Sequence, residues 1–377
     1  MNQPAILRRL GPISVRQFMR EYWQRKPLLI RAAFPDFVPP IGRARLFQLA
    51  QDPQAESRLL TAFDQRRSLK HGPFLRLPPI TRRRWTLLVQ GVDLLDDAAR
   101  SLLSRFRFVP DARLDDLMVS FATDGGGVGP HVDSYDVFLL QAFGRRRWRL
   151  SRQRNLRAKP GSPINVVEGF RASSEWVLDA GDMLYLPPGI AHEGTAIGEC
   201  MTYSIGFRAP SYQQLLEPWF ADYAEHAAPR GRYADIKAAA VTRPAALPPG
   251  MTRLIHAELA RHTPGRSDTE RFLLRHLSEP KATTVFDAPL APLSPTAFQR
   301  RAASRGLQFD RRTRVIYSKA AIGINGEWTT PPPRAMATLK TFADQRALSA
   351  LQAKRAAASA WKLLHGWYKA GWIELVD

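Results

Sequence analysis

The first third of the chain combines helical and strand-like spacing of apolar residues. Residues 13–24 carry apolar side chains three or four positions apart, which predicts an amphipathic helix with Ser14 as its N-cap. The run KPLLIRAAFP predicts a short strand that ends at Pro35, and residues 84–90 predict another. Further helices are predicted over residues 41–60 and 94–106.

Between residues 117 and 208 the pattern changes to short apolar runs separated by Gly, Pro and Asp. Short strands at this spacing are typical of a closed or sandwiched antiparallel sheet. We therefore expect a β-rich domain after the N-terminal helices and strands.

After Pro210 the helical spacing returns at residues 211–227 and 252–262, with a Pro- and Ala-rich linker predicted over 242–250. The remainder of the chain combines helices with a hairpin and is similar in layout to a winged-helix unit. Its strands are predicted over residues 306–318, 320–326 and 372–376, and its helices over 336–345 and 359–371.

The composition is that of a globular protein, apart from its charge. The 377 residues suffice for two or three domains, and 45% hydrophobic with 24% charged residues excludes collagen-like, disulfide-scaffold and wholly disordered chains. The net charge is +21, and 45 of the 55 basic residues are Arg. This excess indicates either an anionic partner, nucleic acid first, or a surface in which Arg replaces Lys throughout. Because the Arg residues are spread along the chain, both interpretations stay open.

Cys200 is the single cysteine, which excludes an intramolecular disulfide and a zinc or iron–sulfur site built on several cysteines. No stretch approaches about 20 consecutive apolar residues, and the N-terminus lacks the pattern of a secretory signal. We therefore expect a cytoplasmic protein without a membrane segment.

The candidate chemistry lies in two segments of the β-rich region. His131 and Asp133 follow a Gly-rich turn and, on a strand, would point to the same face. His192 comes 59 residues after Asp133, behind an apolar strand and a PPG turn. Two imidazoles and one carboxylate form the facial triad of non-haem Fe(II) oxygenases, which leaves coordination positions open for cosubstrate and O₂.

An isolated His-x-Asp also occurs by chance, on surface histidines with no metal. The turns and strands around these three residues favour the metal site. The other histidines have no partner at a ligand spacing, and we expect no metal at His71, His226, His256, His262, His276 or His365.

The blocks around the triad resemble the Jumonji C (JmjC) 2-oxoglutarate oxygenases, and among them the bacterial ribosomal oxygenases of the RoxA/YcfD type. The similarity extends over residues 25–211 and includes RWTLLVQGVD, DDLMVSFA, GGGVGPHVDSYDVFLLQAFGRRRWRL and GDMLYLPPGIAHEG. It implies an α+β fold with a double-stranded β-helix (cupin-like) barrel and N-terminal helices in residues 1–210. A helical dimerisation segment over 211–278 and a C-terminal winged-helix-like domain over 279–377 would follow.

The resemblance further implies that Fe(II) binds His131, Asp133 and His192, and that Arg146 binds the distal carboxylate of the cosubstrate 2-oxoglutarate. A planar guanidinium can donate two charge-assisted hydrogen bonds to a carboxylate, and alternation along the strand places Arg146 on the same face as Trp148. The alternative for Arg146 is a solvated position on a basic strand.

Two polar residues, Ser120 and Thr202, match positions near the cosubstrate in the family. Thr202 stands where the family pattern leads us to expect Asn, although a hydroxyl can still donate one hydrogen bond.

The family's reaction is hydroxylation, with O₂, of an arginine β-carbon in large-subunit ribosomal protein L-sixteen. An arginyl substrate requires an anionic or π-rich pocket, and four residues are candidates for it. Each has a local structural alternative as a turn or capping residue: Tyr135, Asp136, Asp124 and Glu193.

A basic enzyme repels a basic ribosomal protein at long range. Either the mouth of the site is locally acidic or ribosomal RNA contributes to recognition. Residues 301–377 hold 13 Lys and Arg against 5 Asp and Glu, and a homodimer is expected by resemblance through the helices after Pro210.

Two other functions fit the residues alone. A cupin metalloenzyme acting on a small molecule would have no need of Arg146. A non-enzymatic nucleic-acid-binding protein would use the basic C-terminal region and bind without His131 or His192.

Overall fold

The computed structural model describes residues 5–63, 66–154, 156–160, 166–227, 230–234, 236, 240, 243 and 245–376. The predicted linker over 242–250 lies partly outside these residues. Within them, no helix combines the length and the apolar character that a membrane crossing requires.

The N-terminal region alternates short helices with strands before the long strands of the sheet begin. Helix α1 starts as predicted, because the Ser14 hydroxyl accepts a hydrogen bond from the Gln17 amide over 3.1 Å. The elements are β1 Arg9–Leu10, β2 Ile13–Ser14, α1 Val15–Glu21, β3 Leu28–Ile30, α2 Arg43–Leu49, β4 Ser57–Phe63, β5 Arg66–His71, β6 Trp85–Val89 and α3 Asp97–Ser104, with a 3₁₀ turn over Val92–Leu94.

The expectation of one helix over residues 41–60 is wrong. Helix α2 ends at Leu49, and the chain turns at Pro53, which has no amide hydrogen to continue a helix. The Asp52 carboxylate accepts the Gln54 amide over 2.8 Å and closes this turn. Strand β4 follows and pairs with both β5 and β6.

The predicted β-rich region forms the centre of one ten-stranded sheet in the described residues. Its further strands are β7 Leu114–Ala122, β8 His131–Val132, β9 Asp136–Ser151, β10 Ser174–Leu178, β11 Met183–Leu186 and β12 Ala191–Phe207. The strands follow the order β3-β11-β9-β12-β7-β6-β4-β5, while β10 pairs with β9 and β8 pairs with β12.

The two long strands, β9 and β12, each belong to both halves of the barrel. The first half of β9 pairs with β11 and its second half with β10, and the β9–β12 register shifts between Ile197 and Thr202. Gly144 and Gly198 lie at this shift with φ of 62° and 69°, backbone values that favour glycine. The sheet therefore bends over a central cavity, as expected for a cupin-like barrel.

The first half of β9, residues 136–142, is buried on both faces, which explains its nearly continuous apolar sequence. Val137 and Leu139 line the cavity. Phe138 points the opposite way, into an aromatic cluster with the N-terminal helices, where its ring centroid lies 5.2 Å from that of Phe18 and 5.3 Å from that of Phe106. The helices thus cover the outer face of the sheet and leave the inner face free for a site.

A separate hydrophobic core forms in the C-terminal region. The predicted hairpin is present as β14–β15–β16, whereas β13 pairs with β17 and with the closing strand β18. The elements are α4 Tyr212–Ala227, α5 Pro249–Arg261, α6 Arg266–His276, α7 Pro295–Arg305, β13 Leu307–Phe309, β14 Val315–Tyr317, β15 Ile322–Ile324, β16 Glu327–Thr329, α8 Pro333–Gln345, β17 Ala347–Leu348, α9 Ala350–Lys354, α10 Trp361–Lys369 and β18 Ile373–Leu375.

Phe138→Ala should lower the free energy of unfolding by about 3–5 kcal/mol, because a fully buried ring leaves a cavity in the aromatic cluster. Phe143→Ala on the same strand is the matched control, since that ring is 51% exposed. Urea denaturation followed by tryptophan fluorescence measures both. Equal losses for the two variants would contradict this assignment of the core.

Candidate metal centre

His131 and His192 lie directly opposite each other on neighbouring antiparallel strands, β8 and β12. Opposite residues share a face, so the two imidazoles point together into the barrel, with ring centroids 4.3 Å apart. Asp133 follows β8; its carboxylate oxygens lie 3.8 Å from His131 Nε2 and 3.6 Å from His192 Nε2. One ligand atom from each residue lies within 4.8 Å of the others, so all three can reach one ion.

Backbone carbonyls orient both imidazoles. His131 Nδ1 lies 2.8 Å from the Gly129 carbonyl oxygen, and His192 Nδ1 lies 2.9 Å from that of Ile190. A donor hydrogen on each Nδ1 leaves the Nε2 lone pair free for a metal. Burial, followed by the nearby His131, lowers the pKa of His192 to about 4, so this imidazole is neutral at pH 7.

The Gly-rich turn before His131 allows the backbone to pass close to β12. A Cβ on Gly127 would lie 2.2 Å from the Gly194 carbonyl oxygen, and one on Gly194 would lie 2.7 Å from the Trp148 ring. The PPG turn before His192 is fixed by the Gly189 amide, which donates to the Asp133 carbonyl over 2.9 Å. These contacts connect the two ligand segments to each other.

The triad opens into a cavity of about 150 Å³. Apolar residues form part of its wall, and polar residues point into it from several strands. Its lining consists of Leu88, Gln90, Asp115, Asp116, Met118, Ser120, Val128, His131, Asp133, Tyr135, Val137, Leu139, Arg146, Trp148, His192, Ser204 and Gly206.

Arg146 is buried on the cavity side of β9 beside Trp148, with 5% of its surface exposed, whereas its neighbours Arg145 and Arg147 are exposed. Its guanidinium carbon lies 5.6 Å from the Trp148 ring centroid. Arg146 Nε and Nη2 are buried and have no hydrogen-bond partner among the described residues. A buried cation with free donors is costly unless an anion binds it, so this position fits a ligand carboxylate.

Ser120 and Thr202 face each other across β7 and β12, but they differ in their relation to the cavity. Ser120 lines it and donates to the Thr202 carbonyl over 3.2 Å. Thr202 is absent from the lining, and its hydroxyl donates to Gln141 Oε1 over 3.0 Å. Its hydrogen is thus committed within the protein.

Of the four substrate-contact candidates, only Tyr135 lines the cavity. Burial and the Asp133 charge raise the pKa of its phenol, which therefore stays neutral.

The structure contradicts the prediction that Asp136 contacts the substrate. Asp136 is fully buried outside the cavity, where it accepts hydrogen bonds from Tyr185 Oη over 2.6 Å, Gln24 Nε2 over 3.0 Å and Arg113 Nη2 over 3.1 Å. It is the first residue of β9, which turns its side chain toward the helix layer.

Asp124 and Glu193 also lie outside the cavity lining. Asp124 pairs with Arg83, and the Gly198 amide and Arg83 hold the pKa of Asp124 below its usual value. Glu193 pairs with Arg149, whose Nε lies 3.0 Å from Glu193 Oε2. Both carboxylates therefore have local structural partners.

Two acidic residues of the cavity, Asp115 and Asp116 on β7, were not predicted from the sequence. Asp116 shares its strand face with Ser120, four residues later, so alternation along the segment DDLMVSFA was the signal that could have found it. In the described part of the chain, no second group of three His, Cys, Asp or Glu residues converges as the triad does.

Comparisons with known proteins agree with this geometry. A model of the JmjC domain matches residues 101–215, a ROXA-like winged-helix model matches 258–374, and an AraC-like ligand binding domain model matches 170–270. The Escherichia coli ribosomal protein uL16 3-hydroxylase is 41% identical over 207 residues. That match covers 55% of each chain, so it spans about half the length of this curated relative.

The solved structures extend the similarity over the whole chain. The X-ray structure of E. coli YcfD is 30% identical, with a TM-score of 0.86 and coverage of 97% of this chain and 98% of that one. A structure of YcfD, a ribosomal oxygenase, in complex with cobalt and 2-oxoglutarate is 29% identical, with a TM-score of 0.84 and coverage of 97% and 99%.

His131→Ala should weaken binding of Co²⁺ at least about a hundredfold, because the site loses one of three protein ligands. The matched control is His71→Ala, which removes an exposed imidazole that is not part of the triad. Isothermal titration calorimetry measures both affinities. Unchanged Co²⁺ affinity in His131→Ala would contradict the assignment of the metal centre.

Proposed function

The chain belongs to the family of JmjC ribosomal oxygenases, and on this premise we propose that it is a metal- and 2-oxoglutarate-dependent hydroxylase of a ribosomal protein. The observation that carries the proposal is the meeting, in one cavity, of a His₂Asp ligand set and a buried guanidinium with free donors. A metal and a dicarboxylate cosubstrate are the two ligands that these groups fit.

Iron(II) fits the donor set of His131, Asp133 and His192, since two imidazoles and one carboxylate suit non-haem Fe(II). The 2-oxoglutarate fits Arg146, whose unpartnered Nε and Nη2 would donate to its distal carboxylate. Ser120 is the second polar residue that we assign to the cosubstrate. For Thr202, the hydrogen bond to Gln141 argues for an indirect role in shaping the cosubstrate end of the cavity.

When bound, iron and 2-oxoglutarate supply with O₂ the oxidising power that converts a C–H bond into a hydroxyl group, with release of succinate and CO₂. The protein positions the reactants. The apolar part of the cavity wall excludes water and includes Leu88, Val137 and Leu139. Arg146 orients the cosubstrate, and the backbone carbonyls of Gly129 and Ile190 keep both imidazoles turned toward the metal.

For the substrate we propose an arginine side chain of large-subunit ribosomal protein L-sixteen (uL16), hydroxylated at its β-carbon. The E. coli relative is a uL16 3-hydroxylase, and the cavity suits a cation. Asp115 and Asp116 line its wall, where Asp115 pairs with Arg208 and Arg314 and Asp116 pairs with Lys281. The neutral Tyr135 phenol offers an aromatic surface. Carboxylate acceptors and an aromatic surface are groups that can bind a guanidinium, and they support this choice of substrate.

We further propose that ribosomal RNA contributes to recognition, in the cytoplasm where ribosomes are assembled. Arg82, Arg83 and Arg84 are exposed in the loop before β6, and a Cβ on Gly125 would lie 3.3 Å from Arg84 Cγ. Basic side chains thus adjoin the Gly-rich turn that leads to His131, where they could contact phosphates next to the substrate.

We also propose a homodimer formed through α4 and α5. None of the side chains of α4 is buried, and Tyr212, Leu216 and Phe220 are exposed four residues apart on one helix face. Leu254 and Leu259 are exposed on α5. Apolar helix faces of this extent are typical of protein interfaces, and the expected partner is a second copy of the chain.

Arg146→Gln should raise the KM for 2-oxoglutarate at least about tenfold, because two charge-assisted hydrogen bonds are lost. Arg145→Gln, at the exposed neighbouring position, should leave it unchanged. Succinate formation measures turnover, and mass spectrometry of uL16 peptides should locate one added oxygen on an arginine.

A second experiment tests the contribution of ribosomal RNA by comparing free uL16 with uL16 bound to ribosomal RNA. We expect faster turnover of the bound form.

Absence of the added oxygen with iron, 2-oxoglutarate and uL16 present would contradict the proposed function. Full activity of Arg146→Gln would instead indicate a cupin metalloenzyme that does not use 2-oxoglutarate.

Leu216→Glu should convert the dimer into a monomer, since a charge would be buried in the apolar interface. Gln213→Glu is the control, because it adds the same charge to α4 at another exposed position outside the 212-216-220 apolar row. Light scattering after size-exclusion chromatography measures the mass of each. A monomeric parent protein, or a dimeric Leu216→Glu variant, would contradict the proposed interface.

A further inference from the structure

Asp116 presents its two carboxylate oxygens to different surroundings. It is 2% exposed on β7 and lines the cavity with His131 and Tyr135. Its Oδ2 accepts hydrogen bonds from the Gly91 amide over 3.0 Å and from Gln90 Nε2 over 2.8 Å, and it pairs with Lys281 Nζ.

Its Oδ1 has no hydrogen bond among the described residues. A Cβ on Gly206, another residue of the cavity wall, would lie 3.7 Å from this oxygen. Three donors therefore fix one oxygen of Asp116, and the other is left at the wall to accept from a ligand.

Lys281 comes from outside the barrel. It lies after α6, in the segment that leads to the winged-helix core, and its side chain is only 26% exposed. The Thr284 amide donates to the Lys281 carbonyl over 2.8 Å, and Arg208 Nη1 donates to the Leu277 carbonyl over 3.0 Å. The first bond closes a turn within the segment, and the second joins the start of the segment to the residue after β12. The segment therefore lies beside the barrel, with the Lys281 ammonium group on Asp116.

Other acidic groups lie close to Asp116. Asp93 is fully buried nearby, and burial, with the Asp116 charge adding to it, raises the pKa of Asp93 despite its ion pair with Arg100. Burial would lower the pKa of Lys281, but attraction to Asp116 and Asp115 outweighs it and the pKa is raised. The charged and titratable groups around Asp116 are Asp93, Asp115, His131, Tyr135, Arg58, Arg100, Lys281 and the two partners of Asp115, Arg208 and Arg314.

We propose that Lys281 is a positioning residue for the substrate, which holds Oδ2 of Asp116 and so presents its Oδ1 to the cationic group of the bound side chain. The inference rests on the proposed function, because it assigns the cationic subsite of the same cavity. Lys281 does not touch the reacting atoms; it acts through Asp116. Through it, the segment before the winged-helix core contributes to the barrel's site.

The test compares Lys281→Met, which keeps the length of the side chain without its charge, with Lys281→Arg, which keeps the charge. Lys281→Met should raise the KM for a uL16 peptide about tenfold, the factor expected for one weakened charge-assisted hydrogen bond, with a smaller change in kcat. Lys281→Arg should restore most of the affinity. Lys362→Met, at an exposed position on α10, should have no effect.

Two further readouts separate positioning from a general loss of structure. Peptide-independent turnover of 2-oxoglutarate should stay unchanged in Lys281→Met, since the metal and Arg146 are untouched. The acid limb of kcat/KM for the peptide should move to higher pH, because Asp116 without its cation protonates more readily as the pH falls. A structural defect would reduce both turnover rates together and leave the pH profile in place.

Selective ¹³C labelling of aspartate measures the Asp116 carboxyl titration directly, in the parent protein and in Lys281→Met, without any turnover. If the parent protein fails to hydroxylate the peptide, the proposed function is wrong, and this titration alone decides whether Lys281 acts on the Asp116 carboxylate. An unchanged Asp116 titration, or an unchanged peptide KM in a protein that does hydroxylate it, would overturn the inference.

Discussion

The pairing of β8 with β12 determines the geometry of the whole site. It places His131 opposite His192, and a backbone carbonyl orients each ring so that both Nε2 atoms face Asp133. The barrel can bury these groups because His192 is neutral and a metal can neutralise Asp133. Glycines supply the space, since a side chain at Gly127 would collide with the backbone of β12. The strand register therefore brings the three metal ligands together.

The same register gives the two faces of β9 different roles. Val137 and Leu139 face the cavity, while Phe138 faces the helices, so one strand contributes to both the site wall and the aromatic core. After the shift at Gly144, Arg146 continues the cavity face with its donors free. Stability and cosubstrate recognition thus use opposite faces of one strand, and substitutions on the two faces should separate them.

Much of this could be predicted from the sequence, where the information is local. The spacing of His131, Asp133 and His192 and the alternation around Arg146 follow from strand geometry, and the structure brings these four residues to one cavity. The predicted substrate contact of Asp136 is wrong. Its position three residues after Asp133 does not reveal the turn into β9, which directs its side chain to Tyr185. The helix expected over 41–60 ends before Pro53. The proline was visible in the sequence, but the prediction gave more weight to the helical spacing of the apolar residues. Lys281 had no local signal, since its partner Asp116 is 165 residues away.

In the proposed enzyme one metal ion and one 2-oxoglutarate share the cavity, with the ion on the triad and the cosubstrate's distal carboxylate on Arg146. A crystal structure of the protein grown with Mn²⁺ and 2-oxoglutarate would locate both, the metal through its anomalous signal. We expect one anomalous peak between His131, Asp133 and His192, with the distal carboxylate bonded to Arg146. A peak elsewhere, or a cosubstrate bound away from Arg146, would show this arrangement to be wrong.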